Sequence, residues 1–340
     1  MLKKRIFKKS RNFIILLLFI LLLSAIGISF CIGRLNVPLS EVLKIFLSRF
    51  IPIEGTWTAN MEAAVLNIRL PRILLACLVG SSLAAAGACY QGIFHNPMAS
   101  PDILGASNGA AFGAALAILL GLGSQLLTAS AFLFSLISIF AVYLIAKISP
   151  GQRTVNLILA GIMIGSVFSA GVSYIKLVAD PTDQLPAITY WLMGSLSGNS
   201  LNDVLFTFIP IVLGTIPLIL LRWRINLLTL SDDEAKTMGI STDKLRLIVI
   251  VCATLITAAS VSVSGMIGWV GLVVPHLARK LIGNDYRYLL PASMLLGALF
   301  LLIVDNVSRN LLPTEIPIGI LTAFIGAPFF LYLLLRRKYS

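Results

Sequence analysis

Charge is sparse in this sequence: Asp, Glu, Lys and Arg make up 12% of its 340 residues, while 58% are apolar. A soluble fold of this size needs more polar surface than that, so the composition indicates a polytopic membrane protein. Acidic residues are scarcest, 14 against 26 basic, for a formal charge of +12. Such an excess can signal nucleic acid. Here no basic stripe with interleaved aromatics occurs, and the basic residues gather at the ends of apolar runs, where they read as topology signals; no nucleic-acid partner is expected. The four cysteines, Cys31, Cys77, Cys89 and Cys252, lie in apolar runs without metal or redox spacing and read as small buried hydrophobes. No GxxxxGK[ST] phosphate loop, no HExxH and no intramembrane carboxylate pair occurs, so no cofactor or metal is expected in this chain. Its two histidines, His95 and His276, read as helix-end polar groups.

What the sequence has instead is long apolar runs. The first, Asn12 to Gly33, follows MLKKRIFKKSR and is too long for a signal-peptide core, so it reads as an uncleaved span. A polar segment from Arg34 to Asn67 follows, and further runs cover 70–91, 104–122, 126–146, 155–178, 201–221, 245–264, 267–282, 288–308 and 318–335. That predicts an all-α membrane domain over 1–340, with about ten spans and a cytoplasmic tail over 1–12. Alternating the spans from a cytoplasmic N-terminus puts 19 basic residues inside and 7 outside, so both termini are expected in the cytoplasm.

Between the sixth and seventh runs lies a cytoplasmic loop, 226–246, that contains the dense patch LLTLSDDEAKTMGISTDKLR. Ser231 and Glu234 have capping-box spacing, Asp232 and Asp233 suit a first helical turn, and Gly239 suits the residue after a helix, with Met238 beside it at the tip. A second helix start falls at Ser241 or Thr242. An ordinary solvated connection would account for the charge equally well.

Small residues recur every four positions in two runs, Gly105, Gly109, Gly113, Ala117 and Gly121, and then Gly161, Gly165, Ser169 and Ser173, which predicts close helix packing. Helix-breaking stretches interrupt the pattern at 95–105 and 264–276, each about twenty residues after an arginine, Arg72 or Arg246, a faint sign of an inverted repeat. GASNG at 105–109 matches GxSxG, which would make Ser107 a hydrolase nucleophile with His276 as its base. A nucleophile elbow needs a strand before the serine, and these glycines belong to a membrane helix edge. Asp305 and Arg309 stand four apart and can pair on one helix face. Arg69 and Arg72, three apart around Pro71, are expected to project from the outer end of a span that begins near Leu70, either toward a partner or to lipid headgroups.

The stretches RLPRILLACLVGSSLAAAGACYQGIFHNPMASPDILGASNGA (69–110), YWLMGSLSG (190–198), LSDDEAKTMGI, GWVGLVVPHLARKLIGNDYRYLLP (268–291) and EIPIGILTAFIGAPFFLYLLL (315–335) together resemble the FecCD family. Those proteins are membrane-spanning permeases of bacterial ABC importers for iron-siderophores, haem and cobalamin. The match departs at His95, where the family more often has arginine, and at Met98, where leucine is common.

The resemblance implies a multi-pass permease of the bacterial cell membrane, paired with an identical or related permease, with the substrate path between the two. It implies two separate ATP-binding subunits and an extracytoplasmic substrate-binding protein, with ATP bound by the partner ATPase. Ser231, Asp232, Asp233, Glu234, Met238 and Gly239 would form the element that couples to the ATPase, and Arg69, Arg72 and Arg309 would receive acidic residues of the binding protein. Asn96, Met98, Thr154 and Val155 match residues that narrow the cytoplasmic end of the path. Iron(III)-siderophore is the expected cargo, with haem or cobalamin as the alternatives.

Overall fold

The computed structural model describes residues 2–52, 55–229 and 242–336. Every described element is helical: α1 (Leu2–Cys31), α2 (Leu39–Leu47), α3 (Ala59–Ala63), α4 (Leu70–Ile93), α5 (Ala106–Leu119), α6 (Ser124–Ile148) and α7 (Arg153–Val178). Then come α8 (Gln184–Leu192), α9 (Leu201–Ile225), α10 (Thr242–Ser264), α11 (Val270–Ile282), α12 (Tyr286–Asn310) and α13 (Ile318–Arg336). All ten predicted apolar runs are helices. By length and composition, seven helical stretches among the described residues can cross a membrane; α5 and α11, at 14 and 13 residues, are too short to be among them. The chain breaks before each of these two, at 94–105 and 265–269, and again before α13, at 311–317. Inner and outer below follow the positive-inside expectation.

The second run starts earlier than Leu70. Thr58 caps α3, its hydroxyl accepting from the Met61 amide at 3.3 Å, and a π-helical turn over Ala64–Arg69 carries the helix without interruption into α4. Pro71 follows directly, and a widened turn is one way a helix accommodates a residue that lacks an amide hydrogen.

The Ala/Gly/Ser-rich α4 is the axis of the bundle, packed by α12, α10, α11 and α9. A Cβ on Gly80 would overlap the Gly297 carbonyl of α12, and one on Gly87 would overlap Gly271 of α11. Backbones meet there, as small residues permit in lipid. The predicted edge on α5 is present too, since Gly109 and Gly113 abut the backbone of Phe134 and Ser130 on α6. It ends before Gly121, which has nothing within 4 Å and terminates α5 with φ +66°. On α7, Gly161 and Gly165 pack against Ile103 and Asn108, whereas Ser169 and Ser173 face outward, so that edge covers half the helix. Cys89 and Cys252 are buried and Cys31 and Cys77 half-buried, all with free thiols.

Candidate functional site

The outer mouth is built by three segments: the turn after α1, the π-turn running into α4, and the end of α12 with the strap that follows it. Gly33, Arg34, Leu35, Ala64, Ile68, Arg69, Arg72, Arg309 and Glu315 line one cleft of about 280 Å³. The structure therefore gathers the three predicted arginines into a single site. It does not leave Arg69, Arg72 and Arg309 projecting into solvent, as the sequence suggested, because they are only 4%, 3% and 8% exposed.

Each has an internal reason to be buried. Arg69 donates to the carbonyls of Phe30, Cys31 and Leu35. These acceptors lie at and just beyond the end of α1, where carbonyls have no helical partner and the dipole favours a cation. Gly33 makes room for the guanidinium, since a Cβ there would strike Arg69 Nη2. Arg72 Nε donates to Asp305 Oδ1 at 2.7 Å, and Arg72 Nη1 donates to both Glu315 oxygens at 2.9 and 2.8 Å. Arg309 Nε stands 3.2 Å from Asp305 Oδ2, so the expected i,i+4 pair forms, but as part of a network that ties α4 to α12. The sequence showed no carboxylate pair. Folding makes one by bringing Asp305 and Glu315 to the same guanidinium.

Behind this mouth, three motifs that lie apart in the sequence are knitted by backbone bonds. Ser195 N donates to Ser264 O and Ile318 N to Gly194 O, both at 2.8 Å, while Gly319 N reaches Met193 O at 3.1 Å. The turn of YWLMGSLSG, the break after α10 and the start of α13 thus lock together. A β-carbon on Gly194 or Gly319 would press on this backbone.

At the inner break, His95 ends α4 with φ +49°, a left-handed conformation that favours glycine or asparagine. Asn96 shapes the turn beyond, its side-chain oxygen accepting from Met98 N at 2.9 Å and its carbonyl from Ala99 N at 3.0 Å. Asn96 and Met98 are exposed; at the first turn of α7, Thr154 is half-buried and Val155 exposed. Gln91 donates to the Gly271 and Leu272 carbonyls at 3.3 Å each and accepts from Arg279, which fastens the end of α4 to α11. A cleft of about 330 Å³ here is lined by Gln91, His95, Thr229, His276, Arg279 and Tyr286, among others. Residues far apart in the sequence form it, so no local pattern could reveal it. The coupling-element residues Ser231, Asp232, Asp233, Glu234, Met238 and Gly239 lie outside the described residues, as does Ser241, so the helix start expected at Ser241 or Thr242 falls at their edge.

The hydrolase alternative finds no support. Ser107 donates to Asp102 within its own turn, and a left-handed Gly105, after a short 3₁₀ turn and not a strand, precedes it.

A helical bundle with backbone-to-backbone packing, half-length helices beside two breaks and a charged outer cleft describes a membrane transport protein. The comparisons narrow the class. The model of the FecCD transport family matches residues 17–336. The chain is 40% identical to the molybdate import system permease protein MolB of Haemophilus influenzae, over 94% of each chain. It is also 40% identical to the Fe(3+)-citrate import system permease protein YfmE of Bacillus subtilis, over 98% of each. A solved metal-chelate type ABC transporter in an inward-facing conformation superposes with a TM-score of 0.85 at 39% identity, over 96% of this chain and 99% of that one. This chain belongs to the FecCD family and is a multi-pass ABC importer permease. It is not itself an enzyme, and the ATPase is a separate subunit.

Proposed function

We propose that this permease imports a bulky iron(III) chelate, most simply an iron-siderophore, across the cell membrane with both termini in the cytoplasm. The observation that carries this reading is the outward face of α7. From Val155 to Tyr174 it exposes Leu159, Ile162, Met163, Ser166, Val167, Ser169, Ala170 and Ser173, with no charge before Lys176. The outward face of α6, by contrast, is large and apolar at Leu126, Leu133, Ile137 and Phe140, as lipid contact requires. A face of hydroxyls and aliphatics suits a wide, non-adhesive wall, whereas a small dianion would call for fixed cations. The Fe(3+)-citrate permease among the relatives supports an iron chelate.

In this reading the α7 faces of two permeases, identical or related, enclose the path, narrowed at its inner end by Asn96, Met98, Thr154 and Val155. Two ATP-binding subunits engage Ser231 to Gly239, and the arginine cleft receives acidic side chains of an extracytoplasmic binding protein. The test is uptake in a strain lacking this gene. Accumulation of a ⁵⁵Fe-siderophore should fall to background while ⁹⁹Mo-molybdate uptake is unchanged; haem or cobalamin deficiency would redirect the assignment within the same mechanism. Loss of molybdate uptake alone would refute the chelate.

A further inference from the structure

The outer cleft already holds a carboxylate in the position where one from outside would bind. Arg72 carries two carboxylates that differ in kind. Asp305 is fully buried, held also by Arg309, and lies on the same helix as that partner. The Glu315 side chain is 28% exposed and sits on the strap after α12, whose preceding residues, 311–314, are all exposed. Both Glu315 oxygens meet a single Arg72 nitrogen, Nη1, while Arg72 Nη2 is buried and has no hydrogen-bond partner. Four cations line the cleft, Arg34, Arg69, Arg72 and Arg309, and only Glu315 among its lining residues is acidic. A guanidinium edge with an unused buried donor can take a carboxylate in a two-point grip, which the present arrangement does not achieve.

We propose that Glu315 is a resident counter-ion, displaced when an acidic side chain of the docking protein takes its place on Arg72. This rests on the docking reading above. Asp305 keeps Arg72 in place throughout, because its bond to Arg72 Nε does not involve the exchanging edge. Glu315 then sets docking strength, since every binding event must first remove it.

The experiment uses the complete transporter in lipid nanodiscs and its extracytoplasmic binding protein. Glu315→Gln keeps the size and removes the charge. The expected result is docking about tenfold tighter, roughly 1.4 kcal/mol, with a faster on-rate. Unchanged or weaker docking by a variant that assembles overturns the displacement. The docking reading is checked with Arg34→Glu at the exposed rim; Arg34 also donates to the Pro313 carbonyl of the strap, and releasing that tie would by itself ease displacement, so loss of docking at moderate salt reports the reversed charge, while native docking by that variant removes both ideas. Should the Gln variant fail to assemble, hydrogen exchange on the unaltered transporter decides. Displacement removes the strap's tie to Arg72 while Arg34 still holds the Pro313 carbonyl and Ser308 still holds Ile316, so the amides of Thr314 and Glu315 should exchange faster when the binding protein docks, while slower or unchanged exchange there overturns the proposal.

Discussion

Asp305→Asn is the substitution that most directly tests the charged network. The carboxylate is completely buried, 2.7 Å from Arg72 Nε and 3.2 Å from Arg309 Nε. Asparagine keeps the shape but leaves two buried guanidinium groups facing an uncharged amide, with only the half-exposed Glu315 nearby. Removing one member of a buried ion pair costs about 3–5 kcal/mol, because the charge left behind has no compensation. That is about two to nearly four orders of magnitude in the folded-to-unfolded ratio, against a total stability of about 5–15 kcal/mol for an ordinary domain. Membrane levels of the variant should fall severalfold, and detergent-solubilised protein should lose its monodisperse profile at a lower temperature. Adding Arg309→Met should restore part of the loss, because it removes the stranded charge, and the double-mutant cycle measures that coupling. A variant that accumulates and melts like the parent, failing only in uptake, would show that Asp305 acts in transport and that the network argument is wrong.

Gly87→Leu should abolish assembly, because its Cβ would already overlap Gly271 and neither backbone can yield; normal expression would contradict the assigned packing. Met238→Asp, at the expected tip of the coupling loop, should leave expression normal but lose ATPase co-purification and uptake; native uptake counts against that docking role. Glu41 is held below the usual carboxylate range by hydrogen bonds from Thr56 and then Lys44. Because its folded pKa is depressed, that stabilisation is present above the ordinary carboxylate pKa and lost as pH falls through the lowered value, so proteolytic nicking around 55–58 should rise on acidification and Glu41→Gln should show the same nicking at neutral pH.

The spans were legible because apolar runs and small-residue spacing are local signals. All ten runs became helices, and Gly109, Gly113, Gly161 and Gly165 pack as their spacing implied. Three features were hidden for physical reasons. The extension of α4 back to Ala59 passes through Asn60, Glu62 and Asn67, which read as solvated loop and are tolerated because that stretch lies toward the outer surface. The amphipathic α2, with Val42 and Ile45 buried, is too short to register as a membrane run. Gly80 and Gly87 sit in a run so uniformly small that no single spacing marks them, yet they make the closest backbone approaches of α4. The site was legible as a set of residue types and illegible as an arrangement. Arg72 finds Glu315 across 243 positions, and His95 and His276 share a cleft that only tertiary folding creates.

The burial of the arginines changes how docking can work. On the sequence alone, reversing both Arg69 and Arg72 to glutamate is a clean way to repel an acidic partner. In the structure it would strip the end of α1 of its cap and set a new carboxylate against Asp305 and Glu315, so the variant should fail to assemble before docking can be measured. A guanidinium held by Asp305 is nevertheless a better receptor than a free surface arginine. Its orientation is fixed before the partner arrives, and less side-chain entropy remains to be lost. The cations form one concave patch with an excess of positive charge, which favours on-rate and register at the rim. Structural anchoring and recognition are thus properties of the same side chain divided between two edges, Nε toward Asp305 and the outer nitrogens toward the cleft. Only the second edge can be altered without losing the fold, and it is reached through Arg34 and Glu315.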